Sequence, residues 1–353
     1  MAVQRLVRRC MGRAAKRERT NMYVTPEGAQ FFVIDSHAHV WDARPENRRN
    51  YYGQTFIDTF WGAHVAMTPP NERWERERFD YYGAQAAARD LFEDGYCDMA
   101  VMLPVYLRDF YFNGFNTTAL CATLKELCPD KVILNGRIDP REGQMGLDQL
   151  EQDFQKYRLQ GVKLYAAEWN GSSRGYSLKD SIVAPYLEKC QRLGIRNIHI
   201  HKGPTTHPLD YDAYDVRDVC VVATDFPGLN FIIDHCGMPR IDDFCFVAAQ
   251  EPNVYGGLAL VASYIHARPK HFASMMSDLL FNVGPDRLLF GSDYAITSPK
   301  WIIEKFMEFE FDDETAREAG TQLTLDVKRK ILGLNAAKLY GIYVPEDFAM
   351  AAE

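Results

Sequence analysis

Phe31-Phe32-Val33-Ile34-Asp35-Ser36-His37-Ala38-His39-Val40-Trp41-Asp42 is the stretch whose reading decides the fold. It starts as a run of β-branched and aromatic residues, the composition of a buried strand. It ends in two histidines one residue apart. Side chains alternate faces along a strand, so His37 and His39 point the same way and Ala38 the other. Two imidazoles on one side of a strand's end are half of a metal site.

Working outward, short apolar strands recur with helices between them. Asp98–Pro104, Lys131–Arg137, Gly161–Tyr165, Arg196–His201, Leu229–His235, Val254–Leu258 and Arg287–Asp293 follow the opening strand. Helices are expected to end near Asp94-Gly95, over Thr117–Leu127, Gly146–Tyr157 and Ser181–Leu193, near Tyr214–Thr224, after Arg240 and over His271–Phe281. A last helix, Leu325–Tyr340, covers the barrel. The runs are continuous rather than alternating in polarity, as in strands buried on both faces. The expectation is an α/β fold, a (β/α)8 TIM barrel in one domain spanning 31–345. A doubly wound open sheet is the rival, but the first strand is followed by no glycine-rich phosphate loop.

Two segments stand apart. Residues 43–80 show little helical period and many aromatics (Tyr51, Tyr52, Phe56, Phe60, Trp61, Trp74), which reads as a long functional loop or lid. Residues 1–30 read as a basic, disordered tail: Arg5, Arg8, Arg9, Arg13, Lys16, Arg17 and Arg19 are opposed only by Glu18 in the first twenty. That segment loosely resembles an organelle presequence, and Met22 is a candidate start.

The 353 residues carry a net charge of −8 and no basic stripe in the body, which argues against nucleic acid as a partner. No apolar run approaches the about 20 residues of a membrane helix. The eight cysteines lack C-x-x-C spacing, so reduced thiols in a cytoplasmic enzyme are expected. A homodimer is compatible with this surface.

Catalytic groups of such barrels sit at the C-terminal ends of strands. Those ends hold His37 and His39, His201, His235 and Asp293: four of the nine histidines and one aspartate. His199 shares the face of His201 one layer deeper and reads as a supporting histidine. His64, His207, His266 and His271 read as surface residues of loops or helices. Arg137, Lys202 and Arg240 lie at or just after strand ends, where a cation could hold a substrate carboxylate, or could equally brace the rim. Trp41 and the aromatics of the first loop, with Phe110-Tyr111-Phe112 and Trp169, suggest a ring-bearing substrate or packing under a lid.

This constellation, with Ile34-Asp35-Ser36-His37-Ala38-His39 first and Phe290-Gly291-Ser292-Asp293-Tyr294 last, resembles the amidohydrolase superfamily. More narrowly, it resembles the amidohydrolase-related branch that holds several decarboxylases and lactonases; Gly161-Val162-Lys163-Leu164, His201-Lys202-Gly203 and Asp234-His235-Cys236-Gly237 resemble that branch too. The resemblance implies that His37, His39, His201 and Asp293 bind one divalent metal, with Zn²⁺ first and Mn²⁺ or another first-row ion as alternatives. It implies that His235 acts as acid/base or polarises substrate, that Asp293 shuttles a proton, and that the substrate is a small molecule. Binuclear relatives carry a carboxylated lysine on the fourth strand, where Lys163 lies, so Lys163 is a substrate or second-metal candidate. Hydrolysis of a lactone, ester or amide is the expected reaction, non-oxidative decarboxylation the alternative, and a non-catalytic metal-binding barrel a third reading.

Overall fold

A computed structural model describes residues 22–204, 206–345 and 348. Eight parallel strands form one sheet in chain order: β1 (Ile34–Ala38), β2 (Met99–Met102), β3 (Val132–Ile138), β4 (Gly161–Leu164), β5 (Asn197–His201), β6 (Asn230–Asp234), β7 (Val254–Gly257) and β8 (Leu288–Leu289). The sheet closes on itself. Ser36 N donates to Phe290 O (2.9 Å), Asp293 N to His37 O (3.0 Å) and His39 N to Tyr294 O (2.7 Å). Every residue of β1, β3, β4 and β5 is buried, polar positions such as Asp35, Lys163 and His199 included, as in strands covered on both faces. Each buried Val, Leu or Ile contributes about 1.5–3 kcal/mol of transfer free energy. The fold is a TIM barrel.

The N-terminal ends of the strands are sealed by the last helix, which runs Leu325–Arg329, a π turn at Lys330–Leu334, then Asn335–Tyr340. Asn335 Nδ2 donates to Leu288 O (2.8 Å), and Asn197 Nδ2 to Leu339 O (3.0 Å). Gly333 lies against the Phe32 carbonyl so closely that any Cβ there would collide with it.

Two expectations about segments change. Residues 43–80 are not a loop: Tyr51–Met67 is a helix of 17 residues, capped by the Asn50 side chain accepting from Tyr52 N (3.0 Å). Its inward positions, Gly53, Phe56, Ile57 and His64, do follow the helical period. The period is masked in sequence because Tyr51, 74% exposed, and Tyr52 put aromatic rings on the outer face as well. At the N-terminus, Tyr23–Val24 pairs antiparallel with Gln30–Phe31, so the tail expected through residue 30 gives way to a hairpin within it. Residues 1–21, which carry the basic cluster, lie outside the described residues.

No helix among the described residues is long and apolar enough to cross a membrane. The seven cysteines among the described residues are free thiols.

Candidate metal centre

At the C-terminal mouth, β1 presents His37 and His39 on one face, as the strand alternation requires. Their Nε2 atoms are 3.0 Å apart. Asp293, four residues past β8, brings Oδ1 to 3.4 Å from His37 Nε2 and 3.3 Å from His39 Nε2. Among the described residues these three side chains form the tight ligand group, with their donor atoms all within 4.8 Å of one another. His201 and His235 stand beside it: His235 Nε2 is 3.2 Å from His201 Nδ1, and the His37 and His235 rings are 5.1 Å apart. His201 therefore neighbours the group through His235 and is not part of its tightest core.

The backbone holds the imidazoles from behind. His39 Nδ1 donates to Leu103 O (2.7 Å) and His235 Nδ1 to Ala259 O (3.0 Å), which leaves both Nε2 lone pairs facing the site. His37 Nδ1 faces Asp234 Oδ1 at 3.3 Å. Burial pushes the His37 imidazole down to about 3 and holds His201 and His235 below their ordinary value, so these three rings are neutral at physiological pH. Burial alone would raise the Asp293 carboxyl. The surrounding His37, His39 and His235 outweigh it and keep Asp293 ionised.

Asp293 and His235 both sit in the left-handed backbone region, with φ of 56° and 64°. Such conformations cost non-glycine residues about 1–3 kcal/mol and persist where the surroundings over-determine them. For Asp293 the surroundings are Asp35, whose carboxylate takes the Ser292 N–H (3.0 Å) and the Ser292 hydroxyl, and whose own pKa burial pushes up to about 6. For His235 they include Gly203, where a Cβ would strike the imidazole ring.

Whether a metal fits can be tested on these atoms. Three acceptor atoms stand 3.0–3.4 Å apart, against the about 3.4 Å separating two ligands that each sit about 2.1 Å from a tetrahedral ion. His201 Nε2 is buried with no hydrogen-bond partner. A set of two imidazole nitrogens and one carboxylate oxygen suits a first-row divalent ion. The residues fit the group.

The family comparison agrees with the geometry: the amidohydrolase profile matches residues 34–342. This chain belongs to the amidohydrolase family. No curated protein sequence matches it. Three solved structures show the same fold at low identity. An uncharacterised TIM-barrel protein from Bordetella bronchiseptica is 18% identical with TM-score 0.63, covering 88% of this chain and 98% of that one. An amidohydrolase from Burkholderia multivorans with bound zinc is 16% identical with TM-score 0.58, covering 88% and 99%. A 5-carboxyvanillate decarboxylase from Novosphingobium aromaticivorans with bound manganese is 14% identical with TM-score 0.55, covering 91% and 100%.

Beneath the amidohydrolase site lies a support that the sequence alone did not single out, Asp234, the last residue of β6. It faces His37, takes a bond from His199 Nδ1 (3.0 Å) and is paired with the Lys163 ammonium. Burial opposes its charge, but Lys163, His37 and His199 hold the carboxyl well below the usual range. His199 Nε2 reaches Tyr340 OH (3.0 Å) on the last helix, so His199 is a supporting histidine one layer down. Lys163 lines the cavity with its head group tied to Asp234.

Several substrate candidates lie elsewhere. Arg137 is buried at the rim and bonded to Glu142 (2.6 Å), Asp139 and Glu168 (both 3.2 Å), so its charge is already matched. Arg240 stacks over the Tyr211 ring at 5.0 Å and does not line the cavity. Lys202 is buried and bonded to Asp218 (2.9 Å) and Ala213 O (3.1 Å). Trp41 is fully buried among Phe60, Phe79, Tyr82 and Phe115, with Nε1 donating to Phe79 O (2.7 Å); it underlies the cavity wall and does not touch the cavity. His64 is not a surface residue. It is 2% exposed, donates from Nδ1 to Ile296 O (2.7 Å) and accepts Trp74 N–H (2.9 Å), pinning the added helix to the loop after Asp293.

Proposed function

We propose that this amidohydrolase is a metal-dependent hydrolase of a compact, ring-bearing substrate. The observation that carries the reading is the convergence of His37, His39 and Asp293 on the floor of one cavity, with His235 and His201 alongside. The cavity holds about 170 Å³, room for a compact molecule of about one ring. Phe56 and Phe60 from the added helix, with Val105, Phe115, Leu260 and Ile296, make its wall apolar. Lys163 is the cationic side chain in the described lining, and Asp234 occupies it. A substrate with several carboxylates finds no partners there, which favours a neutral lactone, ester or amide.

His37, His39, His201 and Asp293 would hold one divalent ion, with zinc as the proposed ion and manganese as the alternative. Bound there, such an ion lowers the pKa of water toward about 7 and polarises a carbonyl. Lys163 is engaged by Asp234 in an ion pair, which supports one ion over a pair bridged by a modified lysine. His235 keeps its Nδ1 proton on Ala259 O, so Nε2 is the atom that takes a proton from the attacking water and passes it to the leaving group. Asp293, ionised beside both imidazoles of β1, relays that proton. The apolar wall excludes bulk water from the reacting carbonyl.

The aromatic side of the same cavity, Phe56, Phe60 and Phe115, also suits an aryl carboxylate, and non-oxidative decarboxylation is the second reading. Product analysis on metal-loaded protein separates the two. Acid release from aryl esters, lactones or anilides supports hydrolysis; CO2 release from phenolic acids with no hydrolysis overturns it.

A further inference from the structure

The Tyr165 hydroxyl is a polar group of the cavity that the chemistry above does not use. Tyr165 follows Leu164 at the end of β4, lines the cavity, and lays its ring on His201 with centroids 4.4 Å apart. Tyr214 packs on His201 as well (4.9 Å) and donates its hydroxyl to Tyr165 Oη at 3.3 Å. The Thr206 hydroxyl also lines the cavity. A phenolic oxygen accepts two hydrogen bonds and donates one. With Tyr214 donating to that oxygen, the Tyr165 proton is left to be given to an acceptor in the cavity. There it is the neutral hydrogen-bond donor placed beside the His201 end of the metal centre.

We propose that Tyr165 is a catalytic residue that donates a hydrogen bond to the substrate carbonyl oxygen, with Tyr214 as the positioning residue that fixes its rotor. The inference rests on the hydrolase reading and adds to it the donor for the oxygen that becomes negative when water adds to the carbonyl. No bond to Tyr165 forms or breaks; its proton stays on the phenol and is shared with that oxygen until the leaving group departs. Such a donor matters more as charge grows on the oxygen than in the bound ground state, so its loss falls on kcat more than on KM. It also narrows the substrate class. A carbonyl whose oxygen can lie near His201 while its ring meets Phe56 and Phe60 uses both walls; a substrate with no such acceptor gains nothing from Tyr165.

The test compares wild type, Tyr165→Phe and Tyr214→Phe, all loaded with zinc and matched for metal content and melting temperature. Calorimetric binding of phenylphosphonate, a tetrahedral anion with an aryl ring, is the readout independent of turnover. The proposal expects Tyr165→Phe to bind it roughly 10–100-fold more weakly and Tyr214→Phe by a smaller factor. Aryl-ester hydrolysis should lose roughly 100-fold in kcat with Tyr165→Phe at little-changed KM. If wild type binds and both variants match it, the Tyr165 assignment is overturned and the hydrolase reading stands. If zinc-loaded wild type neither binds phenylphosphonate nor hydrolyses esters, the hydrolase reading fails and the assignment with it. Should Tyr165→Phe fail to fold, an unchanged Tyr214→Phe still overturns the positioning claim, and a weakened one supports it.

Discussion

Two clusters of charged and polar side chains ring the mouth of this barrel, and they are built to opposite ends. Around Arg137, three acids (Asp139, Glu142, Glu168) surround a buried guanidinium, and Arg141 closes on Asp139 (2.7 Å). Around His37, three acceptor atoms face one another with no protein cation between them, and Asp234 and backbone carbonyls hold the rings from behind. The first cluster pairs its buried guanidinium with carboxylates of the protein and braces the ends of β3 and β4. The second leaves its lone pairs converging on one point. Position at a strand end is common to both, so position alone does not mark a site; unmatched acceptors aimed at one point do.

That contrast can be broken at either cluster. The largest effect is expected from His235→Ala, which removes the proton carrier while leaving the ligand group intact. Turnover should fall by roughly 10²–10⁴ with bound metal retained. Loss of the metal would instead make His235 a ligand and redraw the centre.

Arg137→Met should do the reverse. Removing one partner of a buried ion cluster leaves Glu168 without its cation, while Asp139 keeps Arg141, and costs about 3–5 kcal/mol of stability in denaturant titrations. Metal content should be unchanged. If Arg137→Met folds as well as wild type but raises KM, the guanidinium is a substrate group after all.

Acid should separate the clusters through the histidines. His37, His201 and His235 are held below their ordinary pKa by burial, so the unfolded chain binds protons near pH 6.5 that the folded chain does not. Stability of metal-free protein therefore falls as pH drops below about 6.5, and for His37 the loss continues toward about 3. Asp35 acts in the opposite sense: its folded pKa is raised to about 6, so it lends stability as pH falls from there toward 3.8. Urea midpoints between about pH 7.5 and about pH 5 should fall with acid, and His37→Asn should flatten that fall. A flat profile in wild type would mean the rings are charged in the fold.

The smallest effect belongs to Trp41→Phe. It removes the bond to Phe79 O and should cost about 1–2 kcal/mol while leaving KM unchanged. A raised KM would return Trp41 to the substrate pocket.

These outcomes mirror what the chain discloses before it folds. The eight strands were legible because burial on both faces writes continuous apolar runs, and the ends of those runs named His37, His39, His201, His235 and Asp293. The helix Tyr51–Met67 was hidden because its outer face is as aromatic as its inner one. Asp234 was visible only as a neighbour of His235; its role depends on β6 lying beside β5 and on Lys163 reaching across, which are three-dimensional facts. Arg137 looked like a substrate cation because its position at a strand end did not show that Asp139 and Glu142, in the turn that follows it, and Glu168, from beyond β4, fold back onto its guanidinium. Tyr165 carried no signal, since a tyrosine after an apolar strand is ordinary core, and only Tyr214 beside it orients the hydroxyl.

The claim on which the rest depends is that His37, His39 and Asp293 form a metal centre. Elemental analysis of protein purified without chelators tests it most directly, in wild type, Asp293→Asn and Arg137→Met side by side. The account predicts about one divalent ion per chain in wild type and Arg137→Met, and close to none in Asp293→Asn. Wild type free of stoichiometric metal, or Asp293→Asn that retains it fully, would contradict the account.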